Sequence, residues 1–333
     1  MVIKTFGLSR IYYLASILPL PRMFLTKINK LITKFVWSLS GKVLKVSLNE
    51  MKLSLDKGGM GLVCMKTMSE SLLLTQLLRM IKSDDSKSII HMEYWMKDVL
   101  EDLLPEIICD SHARNSPGIY QKIAGLISEA KVTDIITTDG WSLLSNKAIY
   151  TSMAAFFPKT RVELESVGVS YKWVWSNLNS KCLSSQSREL LFLLIHNKLP
   201  TKERLFRIQL TNDPLCEICL NSAGSFVCDI EHLFCSCLRV ADIWNELRGK
   251  LGRVIHRNVS NFDLLNLNFS VKEFNNEIIW VIGSYVYEVW STFCAKDTTD
   301  MDRAKFFGFL KFKFKHDQIG SRVKLKSIQG LFD

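Results

Sequence analysis

Soft metal ligands are spaced for one shared ion in the stretch Cys216-Glu-Ile-Cys219, followed by Glu231-His232-Leu-Phe-Cys235-Ser-Cys237. Two residues separate Cys216 from Cys219, which suits a tight turn that points both sulfurs at one centre. After a loop of twelve residues, His232 and Cys237 follow with four residues between them, a spacing that one helical turn closes. Ligands of types S, S, N and S complete a tetrahedron around Zn²⁺ and leave no position for water. The ion predicted here is a fold staple and not a catalyst. Cys228 and Cys235 are further thiols nearby, and either could stand in for Cys237 as the fourth ligand. Only two residues separate Cys235 from His232, which would tighten that geometry.

Other residues that could do chemistry are poorly placed for it. Two-metal catalysis needs carboxylates that hold Mg²⁺, such as an aspartate pair with apolar flanks on a hairpin. The Asp-Asp pair here is Lys82-Ser-Asp84-Asp85-Ser-Lys87, whose polar flanks read as a loop or helix end. Of the six histidines, His232 alone sits among plausible partners, and His196 is expected to cap or pack. Gly58-Gly-Met-Gly61 lacks the Lys-Ser/Thr of a phosphate-binding loop and reads as a turn.

The elements that must position these residues are mostly helical. Phe24, Ile28, Leu31, Ile32 and Phe35 recur at the spacing of one helix face, with Lys27, Lys30 and Lys34 outside that stripe. Residues 43–55 alternate loosely before the glycines, which predicts a short β-hairpin or extended arm. Further helices are predicted over 69–82, 88–104, 186–196, 201–209, 239–251, 275–293 and 300–316. Trp244 is expected in the core of the zinc region, whereas Trp173 and Trp175 could pack or stack on bases. The tail Phe306-Phe-Gly-Phe-Leu-Lys311-Phe-Lys313-Phe-Lys315 interleaves aromatics with lysines and reads as a strand, or as a helix with a basic end.

The surroundings of the cysteines carry a resemblance. Lys198-Leu199-Pro200-Thr201, Asp213-Pro214, Glu231-His232-Leu233-Phe234, Cys237 and Trp244 stand in the order found in the zinc-binding domain that follows the polymerase in LINE-type (non-LTR) retrotransposon reverse transcriptases. Two features depart from that pattern: Cys228-Asp-Ile replaces the usual Glu-Thr before the histidine block, and the preceding loop is longer. The N-terminal run Lys4 to Pro21, Ile32 to Trp37 and Gly58 to Leu62 resembles the thumb of the same polymerases. The resemblance implies a mainly α fold: a thumb-like segment over 1–85, a helical connector over 86–180, the zinc-binding domain over 181–250 and a basic helical region over 251–333. It further implies that the catalytic palm belongs upstream of Met1, making this the C-terminal part of a retroelement polyprotein.

Composition is compatible with that expectation. The 333 residues are 47% hydrophobic and 23% charged, ordinary for a globular chain long enough for about two domains. Nine cysteines, several at metal spacing, point to a reducing, intracellular compartment, nuclear or cytoplasmic. Neither a signal peptide nor a membrane span is expected. The net charge of +10 is segregated: in the first sixty residues ten Lys and Arg oppose only Glu50 and Asp56, and a second cluster runs from Arg303 to Lys326. Alone, this fits a solvated face as well as a polyanion-binding one. With the zinc motif and thumb resemblance, the expected partner is RNA, an RNA–DNA hybrid or DNA, held by Lys27, Lys30, Lys34, Lys311, Lys313 and Lys315. The polymerase part of the same polyprotein is a further expected partner. The competing expectation is a zinc-stapled helical scaffold for protein contacts.

Without a suitably flanked carboxylate pair, the purified chain should not extend a primer on any template with Mg²⁺ or Mn²⁺. Template-dependent extension that disappears in an Asp84→Ala/Asp85→Ala double variant would overturn this reading.

Overall fold

The computed structural model describes residues 9–36, 46–82, 90, 94–96, 117–129, 145–154, 171–220, 224–269, 275–295 and 302–320. These residues are mainly helical, and their single β feature is an isolated antiparallel bridge between Leu215 and Val227. The helices run α1 (Ser9–Ala15), α2 (Arg22–Val36), α3 (Leu48–Lys52), α4 (Met65–Lys82), α5 (Gly118–Glu129) and α6 (Asn146–Ala154). They continue with α7 (Tyr171–Leu178), α8 (Ser185–Ile195), α9 (Lys202–Arg207), α10 (Glu217–Leu220), α11 (Ala241–Ile255), α12 (Asn261–Asn266), α13 (Asn275–Cys294) and α14 (Arg303–Gly320). Two compact units emerge. The first takes Met1–Leu44, Met51–Leu53 and Gly61–Pro158; the second takes Lys45–Glu50, Ser54–Met60 and Lys159–Asp333.

In the first unit α4 is the axis. Its residues Leu73, Leu74, Leu77 and Leu78 pack with Ile123, Leu126 and Ile127 of α5 and Ile149 of α6. Polar ties fix the register: Tyr150 Oη accepts the Cys64 N–H at 3.1 Å, and Ser71 Oγ donates to Asn146 Oδ1 at 2.8 Å. On α2 the predicted stripe is only partly right. Ile28 and Ile32 are buried against Met65, joined by Leu25 and Val36, but Phe24, Leu31 and Phe35 are 40%, 65% and 63% exposed. At 100° per residue the buried arc is centred between Ile28 and Ile32, so those three side chains fall on the flank toward Lys27, Lys30 and Lys34.

The expected hairpin or arm over 43–55 is replaced, where described, by helix α3 and a 3₁₀ turn, Leu55–Lys57. The reason is a capping box. Ser47 Oγ accepts the Glu50 N–H at 3.2 Å, and Glu50 Oε2 accepts the Ser47 N–H at 2.9 Å. Ser47-Leu-Asn-Glu50 is the sequence signature of that motif, and it outweighs a loose alternation. The predicted helix over 88–104 and the Asp84-Asp85 pair lie outside the described residues, apart from positions 90 and 94–96.

The second unit is built around α13, where Ile278, Ile279, Val281, Ile282, Tyr285, Val286 and Val289 are all buried. A helix apolar on every side must be enclosed on every side. None of the described helices is long and apolar enough to cross a membrane. Tyr285 Oη donates to the Phe234 carbonyl at 2.6 Å, tying α13 to the segment that carries His232. Trp244 is buried, as expected, and its Nε1–H donates to Asn261 Oδ1 at 2.8 Å. Of the two open tryptophans, Trp175 is core and Trp173 is exposed. The lysine-rich tail is helical: Phe306, Leu310 and Phe314 of α14 are buried at successive i,i+4 positions.

A small assembly in this unit explains Gly58. His196, the C-cap of α8, sends its Nε2–H to the Gly58 carbonyl at 2.9 Å and stacks on Trp175 with ring centroids 5.6 Å apart. Burial disfavours the imidazolium and lowers the His196 pKa, more than the Gly58 carbonyl and the Glu50 carboxylate raise it. His196 is therefore a packed, neutral hydrogen-bond donor. Gly58 has φ of +78°, and a Cβ there would overlap the Trp175 ring. Gly58→Ala should cost roughly 2–4 kcal/mol through positive φ and overpacking together, read as a lowered unfolding midpoint. An unchanged midpoint would show that Trp175 can move aside freely.

Candidate metal centre

Each ligand is positioned by its own local device. The Asp213 carboxylate accepts the Leu215 N–H at 2.8 Å and turns the chain into a two-residue ribbon. In it the Cys216 N–H bonds the Phe226 carbonyl and the Cys228 N–H bonds the Pro214 carbonyl, both at 2.8 Å. That ribbon fixes Cys216. The single turn of α10 then lifts Cys219 to the same side, closed by Leu220 N–H to Cys216 O at 3.0 Å. His232 opens a π-helical turn, His232–Ser236, whose closing bond runs from Cys237 N–H to His232 O at 2.7 Å. A five-residue step fits a π turn, the wider relative of the predicted helical turn, and such turns recur at functional sites.

The four predicted ligand atoms meet, all within 4.8 Å of one another, and all four residues are buried. Cys237 Sγ lies 3.8 Å from Cys216 Sγ and 3.8 Å from Cys219 Sγ, and Cys219 Sγ lies 3.4 Å from His232 Nε2. Zn–S bonds of about 2.3 Å at tetrahedral angles give S···S edges of about 3.8 Å, and Zn–N bonds of about 2.0 Å give S···N edges of roughly 3.5 Å. The residues fit zinc. Outer contacts support them: His232 Nδ1 faces Ser236 Oγ at 3.4 Å, leaving Nε2 for the metal. Backbone N–H groups of Leu238 and Arg239 point at the Cys219 and Cys237 sulfurs.

The two alternative thiols fall outside the cluster. Cys228 lies beside Cys216 and hydrogen-bonds its sulfur, an outer partner. Cys235 is buried away from the centre, where burial and the nearby Glu231 carboxylate push its pKa up to about 12. Within the cluster, hydrogen bonds from Cys228 and Cys237 make Cys216 the easiest thiol to ionise, and those same bonds raise the pKa of Cys228 and Cys237. Burial raises Cys219. A divalent ion must displace the remaining ligand protons, so zinc affinity falls as pH falls. A residue missed by sequence reasoning is Asp229, whose carboxylate accepts the His232 N–H at 2.7 Å and caps the π turn. It occupies the departure noted before the histidine block, and an Asp three residues ahead of the histidine was the available signal.

The basic candidates sit on two helices. Lys27, Lys30 and Lys34 are exposed on α2, and their spacing places them on one face. On α14, Lys311 and Lys315 are exposed, but Lys313 is half-buried with Nζ 5.6 Å from the Tyr287 ring centre and 5.8 Å from that of Phe309. Its ammonium is already engaged by aromatic faces.

A family model described as zinc-binding in reverse transcriptase matches residues 149–244, a stretch that contains all four ligands. No curated protein matches the chain. The zinc-binding region of reverse transcriptases is what this part of the molecule is similar to.

One Zn²⁺ per chain is expected, read by elemental analysis. Cys216→Ala and His232→Ala should abolish stoichiometric zinc and loosen residues 200–245, because a small loop-rich unit folds with its metal. Cys294→Ser, on an exposed residue outside the cluster, should not. Normal zinc content in both ligand variants would sink the assignment.

Proposed function

We propose that the chain is a nucleic-acid-binding part of a LINE-type (non-LTR) retrotransposon reverse transcriptase, lying C-terminal to the polymerase palm. In this reading it grips the RNA template or the primer–template duplex and has no polymerase chemistry of its own. The observation that carries it is the match of residues 149–244 to a zinc-binding region of reverse transcriptases, with a Cys₃His cluster inside the matched stretch. A closed four-ligand site has no open position for substrate, so the metal stabilises a platform and does not cleave bonds. The segregated charge supports a polyanion partner, because each Lys or Arg set against a phosphate releases a counterion.

Roles follow from position. Lys27, Lys30 and Lys34 track the phosphate backbone from the thumb-like segment, and Lys311 and Lys315 add contacts from α14. Phe24, Leu31 and Phe35, exposed along the flank of the α2 lysines, offer apolar contact beside that backbone. Further partners are the polymerase part of the same polyprotein and, in the cell, the element's ribonucleoprotein, nuclear or cytoplasmic.

Binding to structured RNA or an RNA–DNA hybrid, followed by anisotropy, should weaken steeply with salt. On a duplex the slope of log K against log[salt] should approach roughly −0.9 times the number of phosphates neutralised. Replacing Lys27, Lys30 and Lys34 by Gln should flatten it by about one unit per lost contact, with helix content kept because Ile28 and Ile32 hold the buried face. Removing zinc should weaken binding with a smaller change of slope. Binding insensitive to both salt and the triple variant would favour the scaffold reading.

A further inference from the structure

Beside the metal centre the second unit holds a cavity of about 560 Å³ that the zinc chemistry leaves unused. Cys216, Cys228 and Cys237 form part of its wall, and Leu205, Val289 and Phe293 supply apolar surface. Asn212, Asp213 and Glu217, all exposed, stand among the residues at its edge. Its volume lies in the range of pockets that enclose a small ligand.

Arg239 also lines this cavity, and it is out of place there. It is 8% exposed, its Nε has no hydrogen-bond partner, and among the described residues no carboxylate pairs with its guanidinium. Lys202, the other cation in the wall, is neutralised by Glu217. A guanidinium removed from water costs several kcal/mol in effective terms unless an anion meets it. Zn²⁺ with three thiolates and a neutral imidazole sums to one negative charge, but no Arg239 N–H is hydrogen-bonded to a ligand sulfur from its side chain. The fork of donors is left for a ligand, and guanidinium matches phosphate or carboxylate oxygens in pairs.

The rim narrows the ligand further. Asp213 places an exposed carboxylate at the edge, which repels a phosphodiester backbone running straight through. A terminal phosphate can meet Arg239 inside while apolar walls cover a base. We propose that this cavity binds a nucleotide bearing a terminal phosphate, free or at the end of a strand, with Arg239 as the phosphate contact. The choice of a nucleotide over another amphipathic anion rests on the nucleic-acid reading above.

The test uses the full, zinc-loaded chain and a nucleoside 5′-monophosphate followed by titration calorimetry. One site per chain is expected, with the unphosphorylated nucleoside at least tenfold weaker. Arg239→Gln should weaken the monophosphate by roughly ten- to hundredfold, the loss of charge-assisted hydrogen bonds, with one zinc retained. Arg239→Lys should recover only part of it. Should Arg239→Gln lose zinc or fail to fold, Cys294→Trp decides, since it fills the cavity from an exposed position. Oligonucleotides ending in phosphate or hydroxyl at either end then distinguish a strand terminus from a free nucleotide. Absence of monophosphate binding, or binding unchanged by both Arg239→Gln and Cys294→Trp, overturns the proposal. Salt-dependent binding of long RNA that persists through that result would leave the nucleic-acid reading standing, whereas its loss would remove both.

Discussion

The hydrogen bond from Cys237 N–H back to the His232 carbonyl, 2.7 Å long, is the constraint on which the second unit turns. It widens one helical turn by a residue, and that widening lets an imidazole and a thiolate five positions apart face the same point. Everything around it holds the turn in place. Asp229 caps its entry, Tyr285 anchors the Phe234 carbonyl from α13, and Trp244 packs at its exit while bonded to Asn261. Asn261 in turn donates to Glu231 at 2.9 Å, so the start of α12 reaches back to the residue that precedes the first helical ligand. Metal geometry and hydrophobic packing specify the same backbone here, which is the consistency expected of a well-defined fold.

Much of this was legible in the residues. The CxxC and His-x₄-Cys spacings led to four side chains that meet within 4.8 Å, because ligand type and separation constrain a tetrahedron strongly. The long apolar run in α13 likewise writes its helix plainly, and α8 and α9 begin and end within one or two residues of the predicted 186–196 and 201–209. The errors came where two local signals competed. Loose alternation over 43–55 suggested an arm, although Ser47 and Glu50 spelled a helix start three residues apart. On α2, periodicity found a helix but placed the buried arc too far toward Phe24 and Leu31. An amphipathic stripe fixes a face only to within the width of its apolar arc, and the packing partners Met65 and Leu62 lie elsewhere in the chain. Arg239 could not be singled out in advance, since its burial, and the cavity it shares with Val289, Phe293 and the cysteines, are set by tertiary packing and not by local pattern.

The segment around Gly58 makes a related point about distance. More than a hundred residues separate it from His196, yet its carbonyl, its left-handed φ and its missing side chain all answer to one imidazole and one indole. A turn that reads locally as simple glycine punctuation is thereby part of a non-local lock. Such contacts must offset the closure entropy of the long chain between them. They also explain why a buried histidine in a chain with a metal site need not be a ligand. His196 keeps a neutral ring and one strong acceptor, and among the described residues it belongs to no metal-ligand cluster.

The two-residue ribbon that presents Cys216 has a consequence for length. Its registry rests on only two backbone hydrogen bonds, between 216 and 226 and between 214 and 228, while the ligand step from 232 to 237 is closed by a single wide turn. Insertions between Cys219 and Gly224 fall between ends that are already pinned, and closure entropy grows only with the logarithm of the added length. An insertion between His232 and Cys237 would instead rotate one ligand away from the others by about 80–100° per residue. Length drift in descendants of this sequence is therefore confined by geometry to one side of the histidine, and the other side behaves as a ruler.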